Sequence, residues 1–166
     1  FGKVQKWINS YYDEYDLIFC VHTRMTKYLR NIEKLKVIDF IDATSRNYKE
    51  AEKRARGLWR YIYLMENKRL LSYEINMLKE YDKAFITSSF DKEYLDRNSG
   101  HINNNLIVTP NGVSEKIFPR LRKSKDKDEL VFLGKMDYPP NEDAAIYFTK
   151  IVFPILKKER KKLKFI

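Results

Sequence analysis

Apolar residues fall along this 166-residue chain in two kinds of pattern, short uninterrupted runs and longer stretches of helical period, and the two alternate. Leu17–Val21 is a continuous apolar run between Asp16 and His22. With no polar alternation it reads as a strand buried on both faces, as in a parallel sheet. Residues 36–41, 84–87, 106–108, 129–133 and 163–166 read as further strands. Between them lie helical patterns. Val4, Trp7, Ile8 and Tyr11 recur at spacings of three and four residues and predict an opening helix. A turn or two of helix is expected over 26–32, and a short helix over 91–97. The longest periodic segment follows Asp42-Ala43-Thr44-Ser45 and runs to about Tyr81. Its apolar stripe passes through Tyr48, Leu58, Trp59, Ile62, Met65, Tyr73 and Met77, which predicts a core-facing side. Thr44 or Ser45 is positioned to cap it, because a side-chain oxygen there can accept a first-turn N–H. So long a segment is expected to break, at Gly57 or at Glu66-Asn67-Lys68. Glu66 and Glu74 read as solvated, or as partners of Arg60, Lys68 or Arg69. A final helix is expected from a cap at Asn141 to Lys158. Strands alternating with helices at this spacing predict an α/β fold with a mostly parallel sheet.

Residues 114–128 break the pattern. They are rich in charge, contain Pro119, and read as a linker between a segment 1–113 and a segment 129–166. The net charge is +10, which admits nucleic acid, an anionic membrane surface or phosphorylated small molecules as partners. Much of the excess sits in Arg120, Arg122, Lys123, Lys125 and the run Lys157-Lys158-Glu159-Arg160-Lys161-Lys162. That run reads as a solvated helix end, and no nucleic-acid-binding motif accompanies it. With one cysteine, Cys20, no disulfide framework can form within the chain. Set in an apolar run, Cys20 reads as a small buried hydrophobe. Two histidines and one cysteine give no metal-ligand cluster of recognised spacing. No apolar window is long enough for a membrane-spanning helix.

In open α/β sheets ligands gather beyond the carboxyl ends of the strands. Here those ends carry His22-Thr23-Arg24, Asp42-Ala43-Thr44-Ser45, Ser88-Ser89, Pro110-Asn111-Gly112 and Gly134-Lys135. Any single one of these is an ordinary cap or turn former. His22 and Arg24 together are the most suggestive, because an imidazole beside a guanidinium can hold a hydroxyl and a phosphate oxygen. Gly134 would let the backbone approach a ligand closely. Asp39 and Asp42 bracket a strand end three residues apart, on opposite faces of an extended chain and hence not facing each other across a scissile bond, so Asp39 reads as structural and Asp42 as able to reach a cleft.

The ordered set Asp16–Met25, Asp39–Ser45, Met65-Glu66, Tyr73-Glu74, Tyr81–Ser89, Asn104–Val113 and Glu129–Asn141 resembles a GT-B glycosyltransferase of the group 1 (family 4) type. Within that family it is most similar to bacterial sugar transferases that build surface polysaccharide. The resemblance implies a Rossmann-like, mostly parallel sheet: residues 1–113 as the second half of an amino-terminal, acceptor-side domain, 114–128 as the interdomain linker, and 129–166 as the first βαβ of a carboxyl-terminal, nucleotide-sugar-side domain. It implies a hexosyltransferase-class enzyme moving a sugar from a nucleotide-sugar donor to a lipid-linked or saccharide acceptor. His22 and Arg24 would act in catalysis, and Asn111, Gly112, Gly134 and Lys135 would bind the donor. Lys135 stands where Arg is commoner in the family and lacks its bidentate fork. No metal or resident cofactor is implied. The expected setting is cytoplasmic, with peripheral contact to an anionic membrane on its inner face and without nucleic acid as a partner. The resemblance also implies a chain lacking both ends, hence inactive alone and homodimeric. A basic α/β module for nucleic acid or anionic surfaces is the alternative. A nucleotide-sugar epimerase would need a Gly-rich phosphate turn that the sequence lacks.

Overall fold

Parallel strands need crossover connections, and helices between apolar runs supply them here. The structure, a computed structural model, describes residues 2–115 and 128–166. It divides into two units, Phe1–Val113 and Ser114–Ile166. In the first unit β1 (Leu17–Val21), β2 (Leu35–Asp39), β3 (Lys83–Ile86) and β4 (Leu106–Val108) form a four-stranded parallel sheet in the order β1-β2-β3-β4. The protein is therefore α/β with a parallel sheet. Register places Cys20 opposite Ile38, Ile38 opposite Ala84 and Ala84 opposite Leu106, so one row crosses the whole sheet. All four of these side chains are buried.

Helices cover that row. Ile8 of α1 (Gly2–Tyr11), Leu71, Tyr73, Met77 and Leu78 of α3 (Leu58–Glu80), and Leu95 of α4 (Ser89–Ser99) join it in one core. The opposite face is different. Leu17, Phe19, Val21, Leu35 and Ile107 are exposed there. The expectation that β1 is buried on both faces is thus corrected: only the face of Ile18 and Cys20 is covered.

The long periodic segment breaks at Gly57, whose φ of 58° suits a residue without a side chain. It forms a hairpin of α2 (Thr44–Arg54) and α3. Its two legs are held by an edge-to-face pair of Tyr48 and Tyr63 at 5.7 Å and by Glu52 with Arg60 at 3.6 Å. No residue from 46 to 66 is buried. Only the second half of α3 reaches the core, through Asn67, Glu74, Met77 and Leu78. The expected core-facing stripe therefore fails at Leu58, Trp59 and Met65, which are exposed because the hairpin extends past the sheet it would pack on.

The second unit pairs β5 (Glu129–Leu130) in parallel with β6 (Lys164–Phe165). Between them run α5 (Pro139–Tyr147), a π-helical stretch Phe148–Val152 and α6 (Phe153–Glu159). The wide turn lies just ahead of Pro154, which has no N–H for a regular helical bond. Phe148, Phe153 and Phe165 cluster with ring centroids 4.6 to 6.4 Å apart and tie helix to strand. Two expectations are corrected: the strand over 129–133 ends at Leu130, and the helix starts at Pro139 rather than after a cap at Asn141. Pro at a first-turn position is preorganised for helix entry. Of the expected linker, residues 116–127, with Pro119, Arg120, Arg122, Lys123 and Lys125, lie outside the described residues. Among the described residues no helix is long and apolar enough to cross a membrane.

Candidate functional site: the carboxyl rim of the parallel sheet

Because β1 to β4 point the same way, their carboxyl ends share one rim. His22 follows β1 with φ of 71° and ψ of 139°, outside the αL well and therefore strained for a residue with a side chain. Its N–H donates to the Asp39 carbonyl at 2.9 Å, and its own carbonyl accepts from Met25 N–H at 3.1 Å. The chain then enters a 3₁₀ helix, Thr23–Tyr28, with Thr23 and Thr26 buried. The Thr26 hydroxyl bonds both the Thr23 carbonyl and the Tyr73 hydroxyl of α3. Pinned in this way, the segment holds the side chains of His22 and Arg24 on the exposed side.

The next connection carries a second strained residue. Ile41 has φ of 65°, and Asp42 N–H donates to the Phe40 carbonyl at 2.8 Å, closing a three-residue turn. Such a turn with positive φ is rare, and at a β-branched residue it costs roughly 1–3 kcal/mol. Its neighbours hold it from every side. Ile41 N–H donates to Asp39 Oδ1 at 2.9 Å, and the Ile41 carbonyl accepts both the N–H of Thr87 at 2.9 Å and its Oγ1 at 2.8 Å. The result is that Asp42 is exposed at the rim with its Oδ1 3.4 Å from the Thr87 hydroxyl. Asp39 is structural, in keeping with its bond to Ile41.

Behind the rim the start of α2 is sealed. Ala43 is its N-cap residue and makes no side-chain cap bond. Instead the Glu74 carboxylate reaches from α3 to the Ser45 N–H at 3.2 Å and to its hydroxyl. Asn67 donates to the Ser45 carbonyl at 2.7 Å. This corrects two expectations: neither Thr44 nor Ser45 caps α2, and Glu74 is fully buried rather than solvated. Burial raises its pKa, against the lowering effect of the Ser45 bonds. Glu66, by contrast, pairs with Arg69 on the surface. Since a carboxylate already fills the N–H cradle of α2, an external anion has no place there. In the first turn of α4, Asp91 is buried and takes Arg46 of α2 at 2.8 Å.

The remaining sequence candidates are spread out. Asn111 and Gly112 are exposed beyond β4. They lie at the opposite edge of the sheet from His22 and Arg24, roughly 14 Å away across three strand spacings. Asp42 and Thr87 stand between. Gly134 and Lys135 belong to the second unit. A Cβ on Gly134 would meet the Asn141 amide at 2.9 Å, so the room beside this glycine is taken by that side chain rather than open to a ligand. Lys135 pairs with Asp137 at 3.1 Å, both exposed. Cys20 is buried, and burial raises its pKa, which leaves it a thiol. Among the described residues no group of three or more His, Cys, Asp or Glu is placed to hold a metal ion.

Thr87 was not legible as a site residue, because its role depends on a turn that nothing in Asp39-Phe40-Ile41-Asp42 announces. The rim presents a carboxylate, a hydroxyl, an imidazole and a guanidinium to solvent. Groups of this kind recognise hydroxyl-rich ligands through paired donors and acceptors. No protein-family model matches the chain, and neither curated proteins nor solved structures give a match.

Proposed function

We propose that the chain serves a glycosyltransferase of the GT-B type, moving a sugar from a nucleotide-sugar donor to a lipid-linked or saccharide acceptor in cell-surface polysaccharide assembly. In this reading the first unit is part of a Rossmann-like acceptor-side domain, and the second opens the donor-side domain. The observation that carries it is the strained turn at Ile41, which fixes Asp42 and Thr87 at the carboxyl rim of a parallel sheet. Strain of this kind persists where a site needs preorganised groups. Asp42 would accept from acceptor hydroxyls, and Thr87 Oγ1, whose proton goes to the Ile41 carbonyl, would accept as well. His22 and Arg24 would close the β1 side of the same wall, and Asn111 and Gly112 the β4 side. Lys135, beside Gly134, would meet the donor diphosphate, where charge develops as the nucleotide leaves.

The test is a titration of the isotope-labelled chain with mono- and disaccharides, read as amide shifts by NMR. Shifts centred on His22, Asp42 and Thr87, abolished by Asp42→Ala, are the expected result. An unmoved rim up to the solubility limit of the sugars, or shifts confined to other residues, would overturn the reading.

A further inference from the structure

The tip of the α2–α3 hairpin combines two features that rarely meet on a surface meant only for water. The first is apolar exposure: Leu58 is 73% exposed, Trp59 63% and Tyr61 60%. Leu58, Tyr61 and Met65 follow each other at spacings of three and four, so they lie along one face of α3, with Trp59 beside them. The second is charge. Residues 49–61 hold five cations, Lys49, Lys53, Arg54, Arg56 and Arg60, against two carboxylates, Glu50 and Glu52.

The fold pushes this tip outward. Beyond the end of α3, Asp82 N–H bonds the Lys36 carbonyl near the amino end of β2, so the start of α3 lies towards the carboxyl rim. Ser45 sits beside Glu74 and Asn67, and from there both legs run away from the sheet with no buried residue as far as Gly57. The nine helical steps from Leu58 to Asn67 lift the tip about 14 Å past that level.

Leu and Trp at a helical apex, with Tyr beside them and Arg and Lys around them, match the demands of the lipid–water boundary. Apolar bodies enter the acyl margin, aromatic rings sit at headgroup depth, and cations meet anionic headgroups. The excess of three positive charges over residues 49–61 is complemented by an anionic surface and not by a neutral protein groove. We propose that the α2–α3 tip docks on an anionic lipid surface, with Leu58, Trp59 and Tyr61 inserted and Arg54, Arg56 and Arg60 against the headgroups. The contact stands on the hairpin alone. Only its purpose, to bring the rim of His22, Asp42 and Thr87 to a lipid-linked acceptor, rests on the transferase reading.

The chain has two tryptophans, Trp7 and Trp59, so Trp7→Phe leaves Trp59 as the sole reporter. This variant is mixed with equimolar phosphatidylcholine–phosphatidylglycerol vesicles, without sugar or nucleotide. Expected are co-sedimentation, a shift of Trp59 emission to shorter wavelength, and quenching by acyl-brominated lipid. Vesicles of phosphatidylcholine alone should bind far less, and salt should weaken the anionic case. Arg54→Glu with Arg56→Glu should weaken binding by at least about fivefold for each cation removed. Leu58→Ser with Trp59→Ser should do the same by loss of insertion. All four changes lie at exposed positions, and unchanged far-UV circular dichroism certifies the fold. Failure to sediment overturns the proposal. So does binding that survives both double variants, or sedimentation with Trp59 emission unmoved, which would place the contact elsewhere, as at the basic run 157–162. A concentration-dependent emission shift without vesicles would assign the tip to a second copy instead. None of these outcomes depends on sugar binding, so this proposal and the transferase reading can fail separately.

Discussion

Glu74 is the residue on which the rim depends most without facing it. It is fully buried on α3, yet its acceptors hold the first turn of α2, and so fix where Asp42 and Ser45 lie. Glu74→Ala should destabilise the protein by about 1–3 kcal/mol, since it strands the Ser45 N–H and hydroxyl in the interior. Glu74→Gln keeps an acceptor and should cost less, which thermal or denaturant unfolding can measure. The pH dependence has a definite sign. The folded protein holds a proton on Glu74 above the ordinary value of 4.5, while the unfolded chain releases it there. The folded state therefore binds more protons in that window, and stability falls as pH rises from about 4.5 through the raised folded pKa. The Gln variant should lose that slope. An unchanged slope would mean another group carries it.

At the scale of elements, the hairpin is a separate mechanical part. The second half of α3 is clamped to the sheet, whereas residues 46–66 are held by surface pairs such as Tyr48 with Tyr63. Gly57 turns the chain at φ of 58° with nothing within 4 Å of where a Cβ would stand. Gly57→Ala therefore meets no clash and is opposed by backbone strain alone, on the order of 1–3 kcal/mol. Because residues 46–66 include no buried residue, that strain should appear as faster hydrogen exchange over 46–66, with little change in global unfolding. A matching loss of global stability would show that the hairpin is part of the main cooperative unit.

For the molecule as a whole, the open face of the first unit's sheet sets the main physical problem. Parallel sheets are normally covered on both sides, and here Leu17, Phe19, Val21, Leu35 and Ile107 are exposed on one of them. The amino-terminal edge strand β1 also offers unpaired backbone groups. The chain alone should therefore associate, with light scattering giving a mass above 20.0 kDa that rises with concentration. Phe19→Lys, at the centre of β1 on that face, should shift the equilibrium towards monomer. A monomer mass at every concentration would show that water tolerates this face.

The sequence by itself determined the elements and their type. The apolar run Leu17–Val21 and the run Leu106–Val108 are strands where the pattern places them, and of the two break points it offered the chain turns at Gly57, the residue that suits the φ, and not at Glu66-Asn67-Lys68. Local chemistry suffices for these, because periodicity and glycine geometry act over a few residues. Which side of each element meets the core was decided only by tertiary structure. The stripe through Leu58, Trp59 and Met65 has a proper helical period, but those residues lie beyond the sheet, and periodicity carries no information about how far a partner surface extends. The cap of α2 came from Glu74, 29 residues past Ser45, and a cap supplied at long range leaves no local signature. The turn at Ile41 belongs to the same class: a β-branched residue opposes it, and besides the local bond to Asp39 it is held by the bonds from Thr87, made only once β2 and β3 are aligned.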